Sequence, residues 1–211
     1  LVVQGKKTEL SMAVSILYAD PPWQFKTYSA KGQDRSPEQH YSTMSIADIY
    51  SLGDYIKPIC ADNSVLFLWG TWPLLAQALA TGTVWGFTYK TVAFVWAKSR
   101  QKQPSGTTLD AEVNWFMGTG YWTRANTEFC LLFTRGKVSR QRFDVRQLVV
   151  APFTRHSEKP TAVYERIEAL MGDVTGDKLE LFARQPREGW LSYGNEITGN
   201  DIREDLKKYG N

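Results

Sequence analysis

The chain has 211 residues, 43% of them apolar, with 25 Lys+Arg against 22 Asp+Glu and a formal charge of +3. That is the composition of a folded domain with its own core, with room for one domain or a tight pair, and it excludes a disordered chain. No apolar stretch approaches the ~18 residues of a membrane span, the first ten residues carry Lys6, Lys7 and Glu9 rather than a secretory core, and two cysteines, Cys60 and Cys130, exclude a disulfide framework or a cysteine-rich zinc site.

Ser15 to Ala19 is a short apolar run stopped by Asp20-Pro21-Pro22, which predicts a buried strand ending in a rigid turn. Trp23 to Thr43 is polar and aperiodic, a long loop. Ser45 opens a helix with Asp48 as its capping-box partner, and Gly53 interrupts the apolar face that follows. Ser64 to Trp69 predicts a second strand, Pro73 to Ala80 a helix with proline in its first turn, Thr91 to Trp96 a third strand and Glu128 to Thr134 a fourth. Leu148 to Ala151 reads as a fifth. Val163, Ile167, Leu170 and Met171 follow Pro160 at helical spacing. Lys178 to Ala183 and Trp190 to Tyr193 complete seven apolar runs with interspersed helices, which predicts an α/β fold around a largely parallel sheet.

Two basic clusters follow strand-like runs. Lys98, Arg100 and Lys102 form the smaller. Arg135, Lys137, Arg140, Arg142 and Arg146 form the larger, with Asp144 the one acid among them. Such clusters are solvated faces or phosphate contacts. His40 and His156 lie far apart, with no metal-ligand spacing, so no metal is expected.

Asp20-Pro21-Pro22-Trp23 is the most informative stretch. It falls at the carboxyl end of a buried strand, where open α/β sheets hold ligands. Two prolines lack N–H groups, so the turn offers the Asp20 carboxylate and backbone carbonyls as acceptors with few competing donors, beside the flat face of Trp23. That suits a planar heterocycle with an exocyclic amino group. The alternative is a strand-ending turn with a packed tryptophan.

The sequence resembles the amino-methyltransferases that act on adenine N6 or cytosine N4 in nucleic acid. Within them it resembles the family of the catalytic subunit of the eukaryotic mRNA adenosine methyltransferase, in its compact prokaryotic and phage form. The matching pieces run in family order: Tyr18 to Trp23, His40 to Met44, Leu66 to Trp69, Gly118 to Arg124, Ser157 to Pro160, Glu180 to Arg184, and Gly189-Trp190 with Gly194 to Glu196. The resemblance implies a Rossmann-like, S-adenosylmethionine-dependent methyltransferase fold of about seven mostly parallel strands. It is permuted, with the Asp-Pro-Pro-Trp strand before the cofactor strand, which agrees with the missing G-x-G-x-x-G after the first strand.

The resemblance also implies site residues. Asp20, Pro21, Pro22 and Trp23 would be catalytic. Asp20, Ser157, Lys159, Phe182, Arg184, Asn195 and Glu196 would hold the cofactor, with Lys159 on its carboxylate and Arg184 on its ribose. A lysine at the mouth of the Pro160 helix opposes the helix dipole, and an anion beside it relieves this. Strand alternation puts Glu180, Phe182 and Arg184 on one face. Some relatives carry asparagine where this chain has Arg187, so the ribose contact differs here. His40, Tyr41, Arg124, Asn126, Glu128, Arg140 and Arg142 are candidates for the substrate. For the last two, the carboxyl end of the fourth strand would reach the ligand side if that strand is parallel.

The expected function is methylation of adenine N6 in DNA, on a flipped-out or single-stranded base, in the cytoplasm of a prokaryote or a phage-infected host. Nucleic acid, most readily DNA, is the expected partner, with no membrane, and with homodimer or heterodimer left open. RNA adenine or DNA cytosine N4 are the alternative substrates, and a catalytically silent subunit of a heterodimer is a further alternative. The expected layout is an extension or expression remnant over 1–14, a methyltransferase domain over 15–197, and a polar tail over 198–211.

Overall fold

The computed structural model describes residues 13–24, 43–100, 115–118, 122–153 and 158–210. Seven strands form one sheet: β1 (Val14–Ala19), β2 (Cys60–Gly70), β3 (Thr88–Ser99), β4 (Thr127–Arg135), β5 (Leu148–Pro152), β6 (Asp177–Leu181) and β7 (Leu191–Tyr193). Their order across the sheet is β5-β3-β4-β2-β1-β6-β7. β1 is parallel to β2 and β6, β6 to β7, and β3 to β5, while β4 runs antiparallel to both β2 and β3. Six strands therefore point one way and one opposes them. This is the expected mostly parallel α/β sheet, with the Asp20 strand first in the chain.

The strands read as unbroken apolar runs because both faces are covered. Side chains alternate between two cores. Leu17 and Ala19 of β1, Leu66 and Leu68 of β2, and Leu131 and Phe133 of β4 face one side. Ile16, Tyr18, Val65, Phe67 and Trp69 face the other. On the first side pack α1 (Ile46–Ser51), α2 (Gly53–Ile59), α3 (Leu75–Val84) and α6 (Ile202–Tyr209), through Ile49, Ile56, Ala78 and Leu206. On the second, α4 (Thr161–Met171) packs through Val163, Tyr164, Ile167 and Met171.

Local chemistry sets the helix ends. Ser45 caps α1 as expected, its Oγ accepting from the Asp48 N–H at 3.1 Å. At Gly53 a Cβ would lie 2.9 Å from the Val84 carbonyl oxygen, so the α1–α2 break lets that segment pack closely beside the end of α3. Pro73 lies in a 3-10 turn, Trp72–Leu74, that leads into α3. Pro160 caps α4 from outside rather than sitting in its first turn.

Two expectations change. First, β4 is antiparallel, so Arg135 pairs with Ser64 near the start of β2 and lies on the edge opposite Asp20. Second, the strand alternation stops at Leu181. Phe182 takes a left-handed backbone (φ 63°) and packs with the α1–α2 side, whereas Glu180 lies with Tyr164 on the α4 side. The polar stretch after 198 follows α5 (Asn195–Thr198) and carries α6, with Ile202 and Leu206 buried. Asp205 is buried too, accepting from Thr198 Oγ1 at 2.6 Å and Asn200 Nδ2 at 2.8 Å. Among the described residues no helix is long and apolar enough to cross a membrane.

Candidate active site

Parallel strands bring their carboxyl ends to one edge, and the antiparallel β4 brings its beginning there. Asp20 follows β1, Lys98 stands near the end of β3, Glu128 at the start of β4, Lys159 just before α4, Arg184 after β6, and Asn195 opens α5 after β7. Six segments far apart in sequence thus meet at the edge where such sheets hold ligands.

The Asp20 turn is rigidly braced. The Trp23 N–H donates to the Pro21 carbonyl at 2.8 Å, and the Met44 N–H donates to the Pro22 carbonyl at 2.8 Å. A carbonyl has two lone pairs, so Pro21 keeps accepting capacity. The Trp23 indole N–H donates to the Trp69 carbonyl at 3.1 Å, and the side chain is buried in the core. Trp23 is first a wall of the site, not an open stacking platform.

Behind Asp20 lies a chain of alternating charges. Asp20 Oδ2 is 2.8 Å from Lys159 Nζ, which is 3.0 Å from Glu128 Oε2, while Glu128 Oε1 is 2.6 Å from Lys98 Nζ. Lys159, Glu128 and Lys98 are almost fully enclosed, and the Asp20 side chain keeps 25% of its exposure. It is the end of the chain open to a ligand.

The electrostatics follow from this order. Burial pushes the Glu128 carboxyl up, but Lys159 and Lys98 together outweigh it and hold its pKa at about 2. Burial pulls the Lys159 ammonium down, but Asp20 and Glu128 outweigh that and keep it charged. Burial raises Asp20, Lys159 lowers it and Glu128 raises it again, leaving it above the usual carboxylate range. Arg184 also acts on Asp20, which places the two within electrostatic reach.

A second cluster lies along β6. Tyr164 donates its hydroxyl to Glu180 Oε1 at 2.7 Å, and the Arg187 guanidinium stacks 3.6 Å from the Tyr164 ring centroid. Burial raises the Glu180 carboxyl to about 7, against the Tyr164 hydrogen bond and the Arg187 charge. Arg187 is thus engaged with Tyr164 and Glu180. The neighbouring Gly194 has no room for a side chain: a Cβ would lie 2.3 Å from the Ala183 carbonyl oxygen. Its absence lets the β7–α5 turn close on the end of β6 at Ala183, with the exposed Asn195 and Glu196 next in the chain.

The structure brings Asp20, Pro21, Pro22, Trp23, Glu128, Lys159, Phe182, Arg184, Asn195 and Glu196 to one edge. Asn126 joins them through its carbonyl, which accepts from the Lys98 N–H at 2.8 Å, and Arg124 is exposed just before it. His40, Tyr41 and Ser157 lie outside the described residues. Arg140 and Arg142 do not join. Arg142 pairs with Asp144 and Arg140 stacks on Phe143, in a segment that leaves the opposite edge. Lys98 is a site residue that the surface-cluster reading missed. The signal was there, because Phe94, Trp96 and Lys98 alternate onto one face of a buried strand.

Both cysteines are free and buried, with burial raising both thiols, Cys60 to about 12.

The MT-A70 family model matches residues 14–196. A Mycoplasma protein, the type II methyltransferase M.MunI, is 34% identical over 204 residues, covering 89% of this chain and 79% of that one. An Arabidopsis thaliana N(6)-adenosine-methyltransferase MT-A70-like protein is 30% identical over 200 residues. The human N(6)-adenosine-methyltransferase catalytic subunit METTL3 is 27% identical over 189. The chain spans only 26% of the plant protein's length and 28% of the human one's.

Proposed function

The chain belongs to the MT-A70 family, and from that premise we propose that it transfers the methyl group of S-adenosylmethionine to N6 of adenine in DNA. The observation that carries this reading is the Asp20 carboxylate. It is partly exposed at the carboxyl edge, on a turn whose two prolines bring no N–H donors, and fixed from behind by Lys159 at 2.8 Å. DNA is favoured over RNA because M.MunI matches over most of its own length, whereas METTL3 matches over about a quarter.

The residues at the edge fit the cofactor. Arg184 is a cation suited to a ribose, Asn195 and Glu196 add hydrogen-bonding groups, Phe182 offers an aromatic face, and Lys159, enclosed between Asp20 and Glu128, lends its charge to the cofactor carboxylate from behind Asp20. Gly194 makes the space in which they meet. When bound, S-adenosylmethionine supplies an electrophilic methyl on a sulfonium. The protein's task is to make a poor nucleophile attack it, since the adenine amino lone pair is delocalised into the ring.

Asp20 and the free lone pair of the Pro21 carbonyl accept the two amino N–H bonds and so localise the lone pair on nitrogen. The amino nitrogen so prepared would take up the methyl that the sulfonium supplies and release one proton, for which the Asp20 carboxylate would be the base. No covalent enzyme intermediate is needed, so catalysis is positioning and electrostatics. A base inside a duplex cannot reach Asp20, so the target is flipped out or single-stranded.

The test is nucleoside analysis after incubating DNA and RNA with isotopically labelled methyl donor. We expect N6-methyladenine from DNA and none from an Asp20→Ala variant that remains folded. Label in RNA, or at cytosine N4, selects the corresponding alternative substrate and overturns this one. No label in either nucleic acid, despite cofactor binding, supports a silent subunit.

A further inference from the structure

We propose that Lys98 is a positioning residue for this site: by clamping Glu128, it keeps the Lys159 ammonium on Asp20. The inference rests on the function proposed above for what Asp20 does, but on geometry alone for what Lys98 holds.

Lys98 is 7% exposed, on a strand whose neighbouring inward residues are Phe94 and Trp96. Its ammonium lies 4.8 Å from the Trp96 ring, 5.3 Å from Phe153 and 5.8 Å from Phe116. The cage is fixed. Phe116 and Phe153 stack at 4.5 Å, and the Trp96 indole N–H donates to the Ala151 carbonyl at 3.0 Å. The strand beneath is pinned as well: the Lys98 N–H donates to Asn126, and the Lys98 carbonyl accepts from Phe116 at 2.9 Å. A cation held this firmly, with Glu128 at 2.6 Å, is an anchor for that carboxylate.

Glu128 stands between two lysines, one oxygen on each. With Lys98 present the four groups alternate in sign and sum to zero. Without Lys98, two carboxylates, Asp20 and Glu128, compete for the single Lys159. The chain is then one negative charge out of balance in a poorly solvated place, and one carboxyl takes a proton. Asp20 is already above the ordinary carboxylate range. A protonated Asp20 is a weaker acceptor for the amino N–H and can no longer take up its proton. The groups acting on Asp20 are Lys159 before α4, Glu128 and Cys130 on β4, Glu180 on β6 and Arg184 after it. Lys98 acts on it only through Glu128 and Lys159.

The experiment compares wild type, Lys98→Met and Lys98→Met/Glu128→Gln. In the cofactor-free proteins, the Asp20 carboxyl is titrated by carbon NMR. In parallel, the acidic limb of the kcat–pH profile is measured on methylatable DNA. In Lys98→Met, both the Asp20 titration and the acidic limb should move up by about one unit. In the double variant, which removes the inner pair together, both should return to the wild-type position or below it. A purely structural lysine would lower stability or kcat without moving either. An unmoved Asp20 titration in Lys98→Met overturns the inference, as does an equal rise in the double variant. If wild type methylates no DNA, the function proposed above fails, while the titration still decides the role of Lys98.

Discussion

Two glutamates in the site carry opposite dependences of stability on pH. Glu128 is held at about 2 in the folded protein against an ordinary 4.5, so the unfolded chain takes up its proton first as pH falls. Its contribution is complete above pH 4.5 and is lost as pH drops toward 2, on the order of 3 kcal/mol. Glu180 is the reverse. Its folded value of about 7 lies above 4.5, so the folded state holds the proton more tightly. Stability is greatest below 4.5 and declines as pH rises to 7, again on the order of 3 kcal/mol. Urea unfolding of Glu180→Gln across pH 4.5 to 8 should lack that decline. A wild-type curve and a variant curve that stay parallel over the range would refute it.

At this scale the sequence was readable where a residue sits in a motif and unreadable where its partner lies elsewhere. Asp20, Glu128 and Lys159 stand out as residues of recognisable segments. Their pairing does not, because it joins the end of β1, the start of β4 and the turn before α4. Lys98 looked like one base among three, and only its phase with Phe94 and Trp96 marks it as inward.

Elements were legible as apolar runs, since a strand covered on both faces must be apolar throughout. Direction was not. Nothing in Phe129 to Thr134 says which way the strand runs, because parallel and antiparallel neighbours demand the same side chains at its centre. The end of β6 misled for a different reason: alternation assumes extended backbone, and Phe182 leaves it. α6 was hidden by composition, having only two buried apolar residues, Ile202 and Leu206.

The β7–α5 turn gives a test at this scale. Gly194 is extended (φ 173°), so its need for glycine is contact and not conformation. A Cβ would meet Ala183 backbone at 2.3 Å (oxygen) and 2.9 Å (nitrogen), and backbone cannot rotate away. Gly194→Ala should push Asn195 off the end of β6. We expect weaker S-adenosylmethionine binding by calorimetry, by about tenfold or more, with a stability loss of about 1–3 kcal/mol from overpacking. Wild-type affinity in a folded Gly194→Ala protein would show that this approach does not shape the cofactor end.

Over the whole molecule, sheet polarity divides labour between two edges. Asp20, Glu128, Lys159 and Arg184 gather at the carboxyl edge, with the exposed Arg124 beside them. The basic stretch from Arg135 to Arg146 leaves the other edge, where Arg135 donates to the Lys57 carbonyl at 2.8 Å and Arg166 to the Arg146 carbonyl at 2.7 Å. Within it, Arg142 pairs with Asp144 on the surface. A nucleic acid with its target base at Asp20 would contact the first edge. Each phosphate contact contributes about 0.9 to the slope of log affinity against log salt on duplex DNA, so two would contribute about 1.8. Arg140→Ala/Arg142→Ala should therefore give a salt plot parallel to wild type, and Arg124→Ala one flatter by about 0.9. Fluorescence anisotropy on labelled duplex over a range of salt separates these outcomes. Flattening by the double variant would mean that the nucleic acid wraps past the site to the far edge, and an unaltered slope for Arg124→Ala would remove that arginine from the interface.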